Sequence, residues 1–117
     1  GGLFRLPARI PYHVVMELAL TGDLYPAERF LELGLLSRVV PEGKVLQAAL
    51  ELAERIAANA PLAVAATKQV LAAASDWSQA EAWSEQRKLA RPALTAQDAK
   101  EGARAFAEKR APQWQGK

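Results

Sequence analysis

Between Gly43 and Ala60 the apolar residues Val45, Leu46, Ala49, Leu50, Ala53, Ile56 and Ala57 recur at steps of three and four. That spacing lines one face of an α-helix, and a strand would need strict alternation instead. Asn59 and Pro61 end this helix, and Pro61 opens another that runs to about Ala74. The same punctuation divides the rest of the chain. Pro11 suits a first helical position, and Tyr12 to Leu20 follows as a helix with Val14, Val15, Leu18 and Ala19 on one face. Thr21-Gly22 ends it. Pro26 starts a shorter helix through Leu33, with Gly34 where a left-handed cap is expected. Asp76-Trp77-Ser78 is a break, and Ser78 and Glu81 have the spacing of a capping box. The helix that follows is expected to stop at Arg91, before Pro92. Thr95 and Asp98 then have N-cap and N3 spacing for a last helix to about Arg110. Gly1-Gly2 reads as a flexible opening, and Leu3 to Leu6 as a short apolar segment closed by Pro7. Leu35 to Val40 is a brief β-branched run, too short for a sheet of its own. The expected fold class is all-α: five to six helices with one short extended segment.

The 117 residues fit one domain with a modest core. Half of them are hydrophobic, and many of those are alanine, which favours helix and close helix packing. Cysteine is absent, which removes disulfides, thiolate metal sites and thiol nucleophiles and fits a reducing, cytoplasmic location. No apolar run approaches the roughly 20 residues that span a bilayer, so no membrane partner is expected. The opening residues lack the apolar region of a secretory leader, and a start without Met points to processing or a fragment.

Few residues present themselves for chemistry. His13 is the sole histidine, beside Tyr12 and Val14, and reads as structural or surface. Glu28 and Glu32, and likewise Glu51 and Glu54, are spaced as paired carboxylates, but they sit on amphipathic helices and read as solvated faces. Gly1-Gly2 could approach a phosphate or simply make a turn. Phe4, Phe30, Trp77 and Trp83 read as core or interface anchors. The net charge of +2 lies in the last twenty residues, because residues 1–97 hold ten basic and ten acidic side chains. Lys100, Arg104, Lys109 and Arg110, with Phe106 and Trp114 among them, could meet an anionic, ring-bearing ligand. They do not share one helical face, so a single ligand cannot use all of them. The alternative is a solvated helix end whose cations oppose the C-terminal dipole. The basic cluster is too small and short to point to nucleic acid.

The order of motifs resembles the enoyl-CoA hydratase/isomerase (crotonase) superfamily. Gly1-Gly2-Leu3-Phe4-Arg5-Leu6-Pro7 is similar to the segment after that family's catalytic region. Met16-Glu17-Leu18-Ala19-Leu20-Thr21-Gly22 resembles its "MELLLTG" helix end. Ala27 with Gly34-Leu35-Leu36-Ser37-Arg38-Val39-Val40-Pro41 resembles "A…GLVN.VVP". Ala58-Asn59-Ala60-Pro61-Leu62-Ala63 with Lys68 resembles "A..AP.A...K". Asp98 to Gly102, then Ala105 to Arg110 and Pro112, resembles "D..EG..AF.EKR.P".

The resemblance implies the C-terminal portion of a crotonase. Residues 1–42 would be the end of the core with linking helices, and residues 43–117 the C-terminal helical oligomerisation region. The family's oxyanion hole and acid/base glutamates match no residue here, so the resemblance implies no catalytic residue and an inactive chain by itself. The implied parent hydrates 2-enoyl-CoA thioesters in fatty-acid metabolism, with an isomerase or hydrolase parent, or a non-catalytic helical oligomerisation module, as the alternatives. No cofactor or metal is implied beyond the acyl-CoA substrate. The implied partners are acyl-CoA and further copies, as a trimer or a dimer of trimers. One ligand contact carries over: the lysine of "EKR", Lys109, which in the family lies near the adenine–ribose phosphate end of CoA bound to a neighbouring subunit. The family's aromatic contact aligns at Ala90 and is missing. Its helix-capping serine aligns at Ala96, with Thr95 as the expected substitute. Phe106 and Trp114 shift toward packing.

Overall fold

Seven α-helices and two 3-10 turns account for the regular structure of the computed structural model, which describes residues 1–117. No strand forms. Helices α1 (Gly2–Arg5), α2 (Tyr12–Thr21), α3 (Ala27–Glu32), α4 (Val45–Ala57), α5 (Pro61–Ala73), α6 (Gln79–Thr95) and α7 (Gln97–Ala107) follow in order. Six of them answer the periodicity and punctuation of the sequence. The seventh, α1, replaces the expected flexible opening. The Arg5 N–H closes it onto the Gly1 carbonyl at 3.2 Å, and a 3-10 turn over Leu6–Ala8 continues it. Pro7 sits in the first turn there, where a missing N–H leaves no bond unmade.

The chain divides after Ala48 into two units. In Gly1–Ala48 the core is Ile10, Val14 and Val15, with Leu6, Tyr25, Leu33 and Leu35 packed around it. Tyr25 and Phe30 stack tilted, with ring centroids 6.0 Å apart. Pro11 is the N-cap of α2 rather than its first helical residue. Gly34 takes the left-handed conformation at φ 78°, and its N–H reaches the Leu31 carbonyl at 3.0 Å, closing α3. Leu35 to Val40 stays outside any helix and pairs with no strand.

In Ala49–Lys117, α5 packs on α6 and α6 on α7. The buried hydrophobic side chains of this unit are alanines: Ala66, Ala96 and Ala105. Small side chains let helix backbones approach closely, as the alanine content implied. Asn59 caps α4 by donating from Nδ2 to the Arg55 carbonyl at 2.8 Å. The capping box at α6 forms as expected: the Glu81 N–H donates to Ser78 Oγ at 3.3 Å, and the Ser78 N–H donates back to Glu81 Oε2 at 3.2 Å.

Two expectations about helix ends fail. Helix α6 does not stop at Arg91; it carries Pro92 inside and runs to Thr95. Thr95 does not cap α7, because its hydroxyl turns back to the Arg91 carbonyl at 2.9 Å. Ala96 stands at the N-cap with no side-chain bond to give. One orphan donor of that first turn, the Asp98 N–H, is satisfied by the Lys117 carbonyl at 3.2 Å. The aromatic anchors also divide. Phe30 and Trp77 are half-buried, whereas Phe4 and Trp83 stand exposed.

Candidate functional site

Helix α7 is short and polar on one side, and the last residues of the chain fold back along it. Two carboxylates hold them there. Asp98 is buried at 3% exposure. Its Oδ1 accepts the Gln115 N–H at 2.7 Å, and its Oδ2 accepts the Gly116 N–H at 2.8 Å. Its place in the first turn of α7 also suits the positive end of the helix dipole. One turn on, Glu101 takes the Arg110 guanidinium as a fork, at 2.6 Å and 3.0 Å. Glu101 also accepts from Arg104 at 2.8 Å and from the Gln113 N–H at 2.9 Å. The Arg110 fork, then the Gln113 N–H and Arg104, holds its carboxyl well below the usual carboxylate range. The same contact, reinforced by Glu108, pushes Arg110 upward.

Trp114 completes the fold-back. Its indole Nε1 donates to the Ala58 carbonyl at 2.8 Å, and its ring lies over Gly102. Trp114 is therefore a packing residue. Phe106 is not: it stands 87% exposed.

Lys109 is the one residue other than glycine with a positive φ, 53°. The Lys109 N–H reaches the Phe106 carbonyl at 3.2 Å, and the Arg110 N–H reaches the Ala105 carbonyl at 3.1 Å. Together these bonds close the end of α7 in the pattern that normally carries glycine at the left-handed position. The Lys109 side chain is exposed and enters none of the ion pairs that engage Arg104 and Arg110. The basic residues of the tail thus separate: Arg104 and Arg110 are tied to acids, and Lys109 stands apart from them at the helix end. A cavity of about 440 Å³ lies along α7, lined by Lys100, Glu101, Arg104, Gln113 and Gln115 among others, and does not include Lys109.

The remaining candidates sit elsewhere. Ala90 lines an apolar groove of about 310 Å³ between α5 and α6 and offers no ring. His13, Glu28, Glu32, Glu51 and Glu54 are exposed, as solvated faces require. Gly1 and Gly2 border a cleft of about 450 Å³ with Arg5 and Arg9. No group of three or more His, Cys, Asp or Glu residues is arranged to hold a metal ion. Sequence reasoning missed the buried role of Asp98 and the Glu101–Arg110 fork. The spacing of nine residues between fork partners gives no helical signal, because the pairing depends on the chain reversing after α7.

The family model for enoyl-CoA hydratase/isomerase matches residues 1–117. A carnitinyl-CoA dehydratase of Proteus mirabilis is 42% identical over 121 residues, covering 100% of this chain and 46% of that protein. The enoyl-CoA hydratase EchA19 of Mycobacterium tuberculosis is 42% identical over 117 residues, covering 100% of this chain and 44% of that protein. The crystal structure of an enoyl-CoA hydratase from Mycobacterium tuberculosis H37Rv superposes with a TM-score of 0.95 at 55% identity, covering 100% of this chain and 46% of that one. One from Bacillus anthracis superposes at 0.92 with 32% identity, covering 100% and 45%. The chain spans about half the length of the curated relatives it matches. With every residue matched by the family model and every helix superposed on these neighbours, the chain belongs to the enoyl-CoA hydratase/isomerase family, as the helical C-terminal part of its fold.

Proposed function

We propose that this chain is the C-terminal helical part of an enoyl-CoA hydratase-like enzyme that adds water across the double bond of 2-enoyl-CoA thioesters. The observation that carries the reading is the match of the whole chain to one family model. In such a reaction, backbone N–H groups stabilise the thioester enolate and carboxylates move the protons. The carboxylates of α7 are committed elsewhere: Asp98 to two backbone N–H groups and Glu101 to two arginines. The role left to this chain is to hold the CoA end of the substrate. Lys109 is the proposed contact, reaching the phosphate near the adenine–ribose end of a CoA seated mainly on a neighbouring copy. Its exposed side chain and its freedom from ion pairs support that role.

Two measurements test this. Titration of coenzyme A against the wild-type protein and Lys109→Ala is expected to show about tenfold weaker binding in the variant, the loss of one charged contact. Equal affinities would sink the role of Lys109. Crotonyl-CoA turnover by the 117-residue chain alone is expected to be negligible, and measurable hydration would show that it carries catalytic groups of its own.

A second reading, a helical oligomerisation module, rests on α4. The apolar face that its sequence predicts is real but uncovered: Val45, Leu46, Leu50 and Ile56 are all exposed. The two readings are compatible, because a subunit that lends Lys109 to its neighbour must also pack against it.

A further inference from the structure

A lysine is an unfavourable choice for the end of α7. The left-handed conformation crowds any Cβ, and glycine relieves it at no steric expense. Backbone strain of this kind persists only where surrounding structure imposes it. Here the imposing groups are identifiable. On one side of Lys109, Glu108 Oε2 accepts from Arg110 Nε at 2.6 Å. On the other side, Arg110 is forked onto Glu101, nine residues earlier on α7, and also donates to the Ala111 carbonyl at 3.0 Å. Both chain neighbours of Lys109 are therefore tied into one network anchored on the helix. The network has a second effect. Arg104 and Arg110 occupy the oxygens of Glu101, and Arg110 occupies Glu108. Glu101 and Glu108 are thus both engaged by arginine, and the Lys109 ammonium enters none of these ion pairs.

We propose that Glu101 is a positioning residue for Lys109: by clamping Arg110 it fixes the left-handed turn at the end of α7 and keeps the lysine ammonium extended and unpaired for an anionic ligand. The proposal rests on the reading of Lys109 as a CoA phosphate contact. Glu101 touches no ligand in this scheme and acts only through the turn. Losing the clamp lets the turn relax, because Arg110 is then no longer anchored to α7. The ligand meets a lysine whose position is not fixed and binds less tightly.

The experiment is a double-mutant cycle on the protein, read by coenzyme A titration. Glu101→Gln keeps the shape but loses the charge of the clamp. Arg110→Lys keeps the charge but loses the fork. Each is expected to weaken CoA about three- to tenfold in the wild-type background and to change nothing further in the Lys109→Ala background. Thermal melts of every variant confirm folding, and Arg110→Lys carries the test if Glu101→Gln does not fold. An equal loss with and without Lys109 would make the clamp merely structural and overturn the proposal. Unchanged affinity in Glu101→Gln and Arg110→Lys, with Lys109→Ala still weakened, would overturn it while leaving the Lys109 contact intact. Unchanged affinity in Lys109→Ala itself would remove the contact and the clamp's purpose together.

Discussion

Gly102 lies in the middle of α7, where alanine would ordinarily be preferred by about 1 kcal/mol. The fold uses the missing side chain. A Cβ at this position would stand 3.2 Å from Cη2 and 3.4 Å from Cζ3 of Trp114. The indole has little room to retreat, because its Nε1 is bonded to the Ala58 carbonyl. Gly102→Ala is therefore expected to lower the thermal midpoint of the protein despite the gain in helix propensity. A melt that rises would show that the ring can shift. Glycine in this helix was visible in the sequence; its reason was not, because Trp114 arrives from a segment that the helical period does not describe. Lys109 shows the same limit. The sequence places it in a basic cluster and the family resemblance singles it out, but the left-handed backbone and the loss of its neighbours to ion pairs need the folded turn.

At the scale of elements, the local signals were legible and the non-local ones were not. The Ser78–Glu81 capping box spans three residues and forms as its spacing predicts. The end of α6 was misread because proline forbids only one bond, to the carbonyl four residues back. The helix continues past Pro92 because α6 packs on α5, with Ala90 and Ala93 half-buried on either side of the proline. The start of α7 was misread because one of its capping partners is the Lys117 carbonyl, at the far end of the chain. The fold-back of residues 110–117 therefore depends on carboxylates, and this gives it a pH dependence with a definite sign. Glu101 titrates lower in the folded state than its ordinary 4.5, chiefly because of Arg110. Its contribution to stability is then full above about pH 5 and is lost as the pH falls through the ordinary carboxylate range toward its lowered folded value. Urea unfolding followed by Trp fluorescence at pH 7 and at lower pH should show wild type losing stability, with a shallower dependence in Glu101→Gln. Identical slopes would mean that Glu101 does not carry the acid sensitivity.

At the scale of the whole molecule, the balance of buried and open surface decides what the chain needs. Along α4, Val45, Leu46, Leu50 and Ile56 are between 47% and 71% exposed. Covering a side chain that is already half-buried returns about 1–2 kcal/mol. Four such residues on each of two copies return about 8–16 kcal/mol, against an association cost of about 4–15 kcal/mol. The two ranges overlap, so the expected outcome for α4 pairing is concentration-dependent self-association rather than a permanent assembly. Light scattering across a dilution series should therefore show a mass that rises above 12.7 kDa with concentration. The double variant Leu46→Glu, Leu50→Glu places charge on the open face without touching a buried side chain, and should return the mass to the monomer value. A wild-type chain that stays monomeric and well folded throughout the series would remove α4 as an interface. Persistent association in the double variant would move the interface to the other exposed apolar residues, with Leu71, Trp83 and Leu94 in the α5–α6 region next to be tested.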